Sequence, residues 1–312
     1  MKLLSWNVQW GRDASGEVDI ARTVREAQRL ADFDVLCLQE VTRGFRTLPG
    51  GPSDDQYAEL AALLPGYTVI EAIGADLPAA ASPGHSPTSG NVTRRQFGNA
   101  LASRLPVQQV FRHALPWPAD STAPSMQRVA LEAVLDVSSV ATSGVATSSV
   151  ATSGVATPGG TLRVLVTHLE FYSLRQRLAQ VDALRRLQQE AADHAAHPAP
   201  AENDAGPFAR TARPVSAIVC GDFNSAWQSE AYTRMLEPLA GSPAFVDAWT
   251  ALHEGETPPH TAGVYDTAQW PDGPLTCDFV FVTEDLRPRL RRCEIDGATR
   301  ASDHQPIVLE LN

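Results

Sequence analysis

The sequence predicts a mixed-sheet α/β sandwich, and three observations carry that prediction. Strand pairs alternate with isolated helices along the chain, in place of the strict strand-helix rhythm of a Rossmann fold or a β/α barrel. Two apolar runs, Asp34 to Leu38 and Ile218 to Cys220, read as strands buried within a sheet. The 312 residues make one large domain or two ordinary ones, and they suffice to bury a substantial core.

Lys2 to Val8 is a first strand, with Asn7 at its end. Asp19 is placed to cap a helix whose apolar positions Ile20, Val24, Ala27, Leu30 and Ala31 share one face. The strand from Asp34 runs straight into Gln39-Glu40. A Pro/Gly-rich turn at Leu48 to Pro52 precedes a short helix with Tyr57, Leu60, Ala61 and Leu64 on its core face, and Tyr67 to Ile70 is the next strand. Gly74 to Gln96 is rich in Gly, Pro, Ser and Ala and is expected to be a flexible loop over 74–96. Phe97 to Arg104 and Val107 to Arg112 read as a strand pair turned at Pro106. Val129 to Val137 and Leu162 to Leu169 read as another.

Between that second pair, Ser138 to Thr157 repeats the unit Ser-(Ser/Gly)-Val-Ala-Thr four times. A five-residue period matches no packing repeat, and small polar residues bury too little to offset ordering entropy. The segment 138–160 is therefore expected to be a disordered, low-complexity hairpin insertion. Tyr172 to Ala195 is a long helix, apolar at Leu174, Leu178, Val181, Leu184 and Leu187, followed by a flexible linker over 197–214. The strand Ile218 to Cys220, a helix near Glu230 to Leu236 and the segment Val246 to Leu252 come next. Strands at Cys277 to Val282, Leu290 to Ile295 and Pro306 to Leu311 close the chain.

Composition narrows the function. Thirty-six acidic residues against 25 Lys and Arg give a formal charge of −11, which disfavours tight non-specific binding to a polyanion, although a local basic patch is compatible with an acidic remainder. The opening residues lack the features of a signal peptide, and no run of about twenty apolar residues offers a membrane span, so a soluble, cytoplasmic protein without membrane insertion is expected. No protein partner is implied. Cys37, Cys220, Cys277 and Cys293 are scattered without zinc-like spacing, and three lie in or beside apolar strands, as small buried hydrophobes do.

The chemistry starts from Ile218-Val219-Cys220-Gly221-Asp222-Phe223-Asn224. Alternation at the strand end sends Asp222 and Asn224 the same way and Phe223 into the core. An ionised Asp can hold or deprotonate a water, and Asn can grip an anion beside it without adding charge. Alone, such a turn is more often a plain polar turn. Four other stretches share the pattern of an apolar strand followed by a polar cluster: Ser5-Trp6-Asn7, Leu38-Gln39-Glu40-Val41, Val166-Thr167-His168-Leu169-Glu170 and Ser302-Asp303-His304-Gln305-Pro306. A sixth, Cys277-Asp278-Phe279-Val280, places an Asp at a strand start. Singly, Asn7 can close a turn, Glu40 can be a surface charge, and His168 or His304 a structural histidine. Together they make a hard-metal site with phosphate-handling groups.

These motifs, with Gly98-Asn99-Ala100-Leu101-Ala102-Ser103-Arg104, occur in an order that resembles the endonuclease/exonuclease/phosphatase superfamily, the DNase I-like metal-dependent phosphohydrolases. The likeness covers almost the whole chain and implies a single domain, 1–312, built as a four-layered α/β/β/α sandwich of two mixed sheets flanked by helices, with a divalent ion at one end. Phosphoester cleavage needs cations and donors around the phosphoryl oxygens. Glu40 offers a hard oxygen to Mg²⁺, or to Mn²⁺ in its place, and Asn7 a neutral one. Asp222 orients and deprotonates the attacking water, with Asn224 on the phosphate. A protonated His304 donates to a phosphoryl oxygen. The resemblance makes Glu40 the principal metal ligand, Asp278 the partner of His304, Asp303 a group on the metal side, and His168 a group across the phosphate. Asn99 and Arg104 either contact substrate or hold the strand end; Arg94 and Arg95 are further phosphate candidates, and Trp117 and Trp270 either face a base or pack.

Two departures refine the expectation. Abasic-site endonucleases of the superfamily carry an acidic residue where this chain has Gln9, which weakens the case for a second metal position, and a tyrosine where His168 falls. The chain thus looks closer to branches acting on sphingomyelin, mRNA tails or protein-DNA adducts. The leading expectation is a Mg²⁺-dependent phosphoester hydrolase of phosphodiesterase or nuclease type, acting on nucleic acid or a small phosphorylated molecule. The alternatives are a small-molecule or lipid-headgroup phosphatase or phospholipase of the same fold, and a non-catalytic phosphate-binding module.

Overall fold

Two parallel strand pairs form the spine of the molecule. The computed structural model describes residues 1–78, 94–138, 160–200, 206–209 and 211–312. β1 (Lys2–Asn7) runs parallel to β2 (Val35–Arg43), and β7 (Thr161–His168) runs parallel to β8 (Ala217–Asp222). Parallel neighbours cannot be joined by a hairpin, so each pair needs a crossover. α1 (Ile20–Leu30) supplies the first and α3 (Leu174–Ala196) the second, with α2 (Gln56–Leu63) following β2. Asp19 caps α1 as expected, its side chain accepting from Arg22 N.

Antiparallel strands complete each sheet. The first has the order β11-β12-β1-β2-β4-β3, with β3 (Thr68–Pro78), β4 (Arg94–Ser103), β11 (Leu290–Ile295) and β12 (Ile307–Leu311). The second has the order β5-β6-β7-β8-β10-β9, with β5 (Val107–Ala114), β6 (Val129–Asp136), β9 (Phe245–Asp247) and β10 (Asp278–Thr283). α4 (Glu230–Leu236) and the short α5 (Ala248–Leu252) lie between β8 and β10 in sequence. Among the described residues no helix is long and apolar enough to cross a membrane.

Strand alternation sorts the core into three layers. Leu3, Val35 and Cys37 of the first sheet meet Val164, Val166 and Ile218 of the second. Leu4, Leu36 and Leu38 point the other way, onto Val24 and Ala27 of α1 and Leu60 of α2. Leu165, Val219 and Phe281 pack outward against Val181 and Leu184 of α3 and Met235 of α4. The result is the expected α/β/β/α sandwich. All four cysteines are free and buried.

Several expected elements differ. Gly74–Pro78 and Arg94–Gln96 are not loop: β3 and β4 pair as far as Pro78↔Arg94, and residues 79–93 lie outside the described residues. Gly74 misleads because its role is steric. It sits at a register shift, where a Cβ would lie 2.6 Å from the Gln127 carbonyl oxygen. β4 and β5 do not pair with each other. The turn at Leu105-Pro106 carries the chain from one sheet to the other, pinned by Ser103 Oγ on Leu105 O and by Asp136 N on Pro106 O. On α3 Leu174 is exposed, while Gln176, Gln180 and Gln188 are buried. Their amides meet backbone that apolar periodicity cannot reveal: Gln180 Oε1 accepts from Glu170 N, and Gln188 Nε2 donates to Val215 O. Ala61 of α2 is exposed too. The repeat, Ser138 to Thr157, lies outside the described residues apart from Ser138; the strands flanking it pair to Asp136↔Thr161. In the 197–214 linker, 201–205 and 210 lie outside them, and the remainder is neither helix nor strand.

Candidate active site

The carboxyl ends of both parallel pairs open on one rim, where ligands collect in sheets of this kind. β1 ends with Asn7 level with Gln39, and β7 ends with His168 level with Asp222. The sheets pack with β1 against β8 and β2 against β7, so the two pairs deliver their terminal side chains to one place. β10 runs antiparallel to β8 and sets Asp278 opposite Asp222, while the segment before β12 brings Asp303 and His304. A cleft of about 350 Å³ results, lined by Glu40, His168, Asp222, Asn224, Asp303 and His304 together with Gln9, Trp10, Phe97, Met126, Arg128, Phe171, Tyr172, Gln269 and Trp270.

Backbone strain gathers here. Gln9 (φ 43°), Trp10 (φ 47°), Glu40 (φ 61°) and Asn224 (φ 47°) are left-handed without being glycine, and all four line the cleft. Such residues cost about 1–3 kcal/mol each and persist where the surroundings enforce them. Glu40 sits where the β2–β4 ladder shifts register between Leu38 and Val41, and this irregularity presents its carboxylate to the cleft. Gly221 has a different reason to be glycine. Its φ is 137°, and a Cβ there would lie 1.9 Å from the Thr167 carbonyl oxygen, so only glycine lets β8 lie this close to β7.

Asp222 is the hub. Its Oδ2 accepts from Asn7 Nδ2 at 2.9 Å, with His168 Nε2 at 3.5 Å and His304 Nε2 at 3.8 Å, and its Oδ1 accepts from Asn224 N at 2.7 Å. His304 Nδ1 lies 2.8 Å from Asp278 Oδ2. Ser302 Oγ donates to Asn7 O at 2.8 Å and accepts from His304 N at 3.2 Å, tying β1 to the histidine. Asp303 Oδ2 accepts from Gln9 Nε2 at 3.0 Å and Trp270 Nε1 at 3.2 Å.

The charges follow from burial and crowding. Burial and then Asp303 push the Glu40 carboxyl up to about 7. Burial and then Asp278 push Asp222 up to about 6. Burial opposes a charge on His304, but Asp278, Asp303 and Asp222 outweigh it and lift the imidazole well above its ordinary range. His168 goes the other way, held well below it by burial, Arg128 and His304. The two histidines are thus pushed in opposite directions.

The donor set fits a hard divalent cation. Asp303 and Asp222 both act through space to raise the Glu40 carboxyl, a cost that a cation would relieve, and all three offer oxygen. The described residues whose ligand atoms all lie within 4.8 Å of one another are Cys277, Asp278 and His304. Burial pushes the Cys277 thiol well above its ordinary range, and its soft sulfur suits a hard cation less well than the carboxylate oxygens do. Asn7 Oδ1 accepts from Gln9 N at 3.1 Å, and its Nδ2 faces Glu40 Oε1 at 3.2 Å.

Of the expected site residues, Asn7, Glu40, His168, Asp222, Asn224, Asp278, Asp303 and His304 come together. Phe223 is buried against Phe279 and Phe281 as expected. Asn224 Nδ2 donates one hydrogen to Leu169 O at 2.9 Å, which fixes the amide and leaves it a second N–H to donate. Asn99 is buried beneath the cleft and holds the two sheets together by donating to Val129 O at 3.0 Å. Arg104 is not in the site. It lies beyond the opposite end of β4, where Val35 pairs with Ser103, and is neutralised by Asp32 and Asp34. Arg94 pairs with Asp76, and Arg95 lies over Phe45. Trp117 bonds Ser125 away from the cleft lining, whereas Trp270 is part of it. Sequence reasoning missed Trp10, Phe97, Met126, Phe171, Tyr172, Gln269 and Arg128. Arg128 carried one usable signal: it is a lone cation directly preceding an apolar strand.

Comparison with known proteins agrees with this geometry. The family model described as the Endonuclease/Exonuclease/phosphatase family matches residues 4–304. No curated protein matches. Among solved structures, the human Nocturnin catalytic domain with bound sulfate anion superposes with a TM-score of 0.58 at 18% identity, covering 100% of this chain and 94% of that one. A mannosyl-6-phosphatase from Bacteroides thetaiotaomicron gives 0.59 at 15% identity, covering 100% and 99%. A 3' phosphatase, NExo, from Neisseria bound to product DNA hairpin gives 0.55 at 16%, also covering 100% and 99%. At these identities the likeness is one of fold. The family match over nearly the whole length decides the rest: this chain belongs to the endonuclease/exonuclease/phosphatase family.

Proposed function

We propose that this protein is a Mg²⁺- or Mn²⁺-dependent phosphoester hydrolase of phosphodiesterase or nuclease type. Family members are generally hydrolases of phosphoesters, and the observation that carries the reading is the ring of nitrogens from Asn7, His168 and His304 around Asp222 Oδ2. Glu40 would hold the ion, with Asp303 beside it and Asn7 orienting the Glu40 carboxylate. The ion would supply charge neutralisation at the phosphoryl oxygens and a more acidic water.

The chain's own groups supply the proton chemistry. Asp222, raised to about 6, is a base matched to near-neutral pH and receives the proton of the attacking water at Oδ2. His304 donates from Nε2 to a phosphoryl oxygen as charge builds there, and Asp278 on Nδ1 fixes the ring and its charge. Neutral His168 donates from Nε2 on the opposite flank. The named relatives act on a sugar phosphate in one case and hold DNA in another, which supports the reaction class and leaves nucleic acid and small phosphoesters both as substrates to test.

Purified protein is assayed with bis-p-nitrophenyl phosphate, then with single-stranded DNA, duplex DNA, RNA and sugar phosphates. The reading expects hydrolysis that stops with EDTA and returns with Mg²⁺ or Mn²⁺. Turnover indifferent to chelation removes the metal role of Glu40, and phosphate binding without turnover on any member favours the non-catalytic module.

A further inference from the structure

One charged group in the cleft has no task in this chemistry. Arg128 stands two residues before Ala130, which pairs with Thr167, so it lies beside the end of β7 that carries His168. It is 7% exposed, yet it lines the cleft. Its Nε lies 3.4 Å from Glu170 Oε2, and buried Glu170 is fixed in turn by Tyr172 N on Oε1 at 3.0 Å. Nη1 is buried and makes no hydrogen bond among the described residues. Service as the counter-ion of Glu170 accounts for Nε and leaves Nη1 without an acceptor. A buried guanidinium donor is costly to leave unpaired, and few native groups are left so.

We propose that Arg128 is a substrate-binding residue whose Nη1 donates to a non-bridging oxygen of the phosphoryl group held in the cleft, with Glu170 the positioning residue that grips Nε from behind. The inference rests on the phosphoester reading and deepens it. Among the described residues lining the cleft Arg128 is the one arginine or lysine, and its planar fork suits a tetrahedral oxyanion better than an ammonium would.

The test uses inorganic phosphate as probe, in calorimetric titrations of the full chain with Mg²⁺ present. Arg128→Lys keeps a charge opposite Glu170 but loses the fork. The double variant Arg128→Gln with Glu170→Gln removes both charges and leaves no buried carboxylate unpaired. Both are expected to melt near wild type, to bind phosphate about 10-fold or more weakly, and to lose a similar factor in kcat/KM on bis-p-nitrophenyl phosphate. Unchanged phosphate affinity and kcat/KM in the folded variants overturn the proposal, and so does a wild type that binds no phosphate at millimolar concentration. A wild type without metal-dependent hydrolysis, whose phosphate binding nevertheless falls on Arg128 substitution, defeats the hydrolase reading and leaves the anion contact standing.

Discussion

His304 Nε2 stands 3.8 Å from Asp222 Oδ2, and the side chain holds that position because Asp278 grips the far nitrogen at 2.8 Å. Neither β8 nor the segment before β12 makes this arrangement alone; β10, paired with β8, carries Asp278 opposite Asp222 and closes it. The three residues act as one device.

Asp278→Asn is therefore expected to lower kcat on bis-p-nitrophenyl phosphate by about 10²–10⁴-fold, the usual scale for positioned acid-base groups. Because the aspartate works through the histidine, adding Asp278→Asn to His304→Gln should cost little beyond His304→Gln alone. Steady-state kinetics of the two single variants and the double variant settle it. Additive losses would mean that Asp278 acts on something else.

Gly221→Ala tests the close approach of β7 and β8. Its Cβ would meet the Thr167 carbonyl oxygen, which belongs to backbone and cannot swing aside. The variant is expected to melt well below wild type or to fail to fold, and any soluble fraction should have lost activity, since His168 and Asp222 sit one residue beyond the clash on each strand. A wild-type melting temperature would contradict this account of the glycine.

The buried ion cluster on the second sheet predicts a pH dependence of stability. Burial opposes ionisation of Glu132, but His113, Arg163 and Arg213 outweigh it and hold the carboxyl down to about 2, against 4.5 ordinarily. A lowered folded-state value means stability that is present above 4.5 and lost as pH falls from there towards 2. Thermal melts of wild type should fall steeply across that window and those of Glu132→Gln less so. At neutral pH the substitution is expected to cost about 3–5 kcal/mol by leaving Arg163 buried without its partner. Parallel melting curves for the two proteins would contradict this.

Replacing residues 139–159 with a short turn should leave melting temperature and turnover close to wild type. The strands that flank the segment pair to Asp136↔Thr161, at the start of β7, whereas His168 is at its end, roughly 25 Å away at the rise of a strand. Marked loss of either property would show that the repeat has a structural or catalytic role.

What the sequence revealed, and what it hid, divides by the range of the interactions. Asp222 and Phe223 were legible because alternation at a strand end sends neighbouring side chains in opposite directions, and Asp19 because a cap acts within a few residues, whereas Asn224 lies beyond β8 in a left-handed conformation that alternation does not describe. Arg104 misled because the carboxylates that neutralise it, Asp32 and Asp34, are remote in sequence. The glutamines of α3 were hidden for the same reason, their partners being backbone groups of other elements. Asn7 was recognised as a site residue but not as an orienting donor, since only the three-dimensional contacts show which end of its amide faces Glu40. Strand pairing across the Pro106 turn was hidden because β5 pairs with β6 of the second sheet and not with β4, which no local pattern encodes.

The central claim is that Glu40 and the carboxylates around it form one cation site at this rim. Titration of Mn²⁺ followed by electron paramagnetic resonance, on wild type and on Glu40→Gln, tests it most directly. The account predicts saturable Mn²⁺ binding by wild type that is weakened at least about 10-fold in Glu40→Gln while the fold is retained, the usual scale for loss of a charged ligand contact. Equal Mn²⁺ affinity in the two proteins would contradict it.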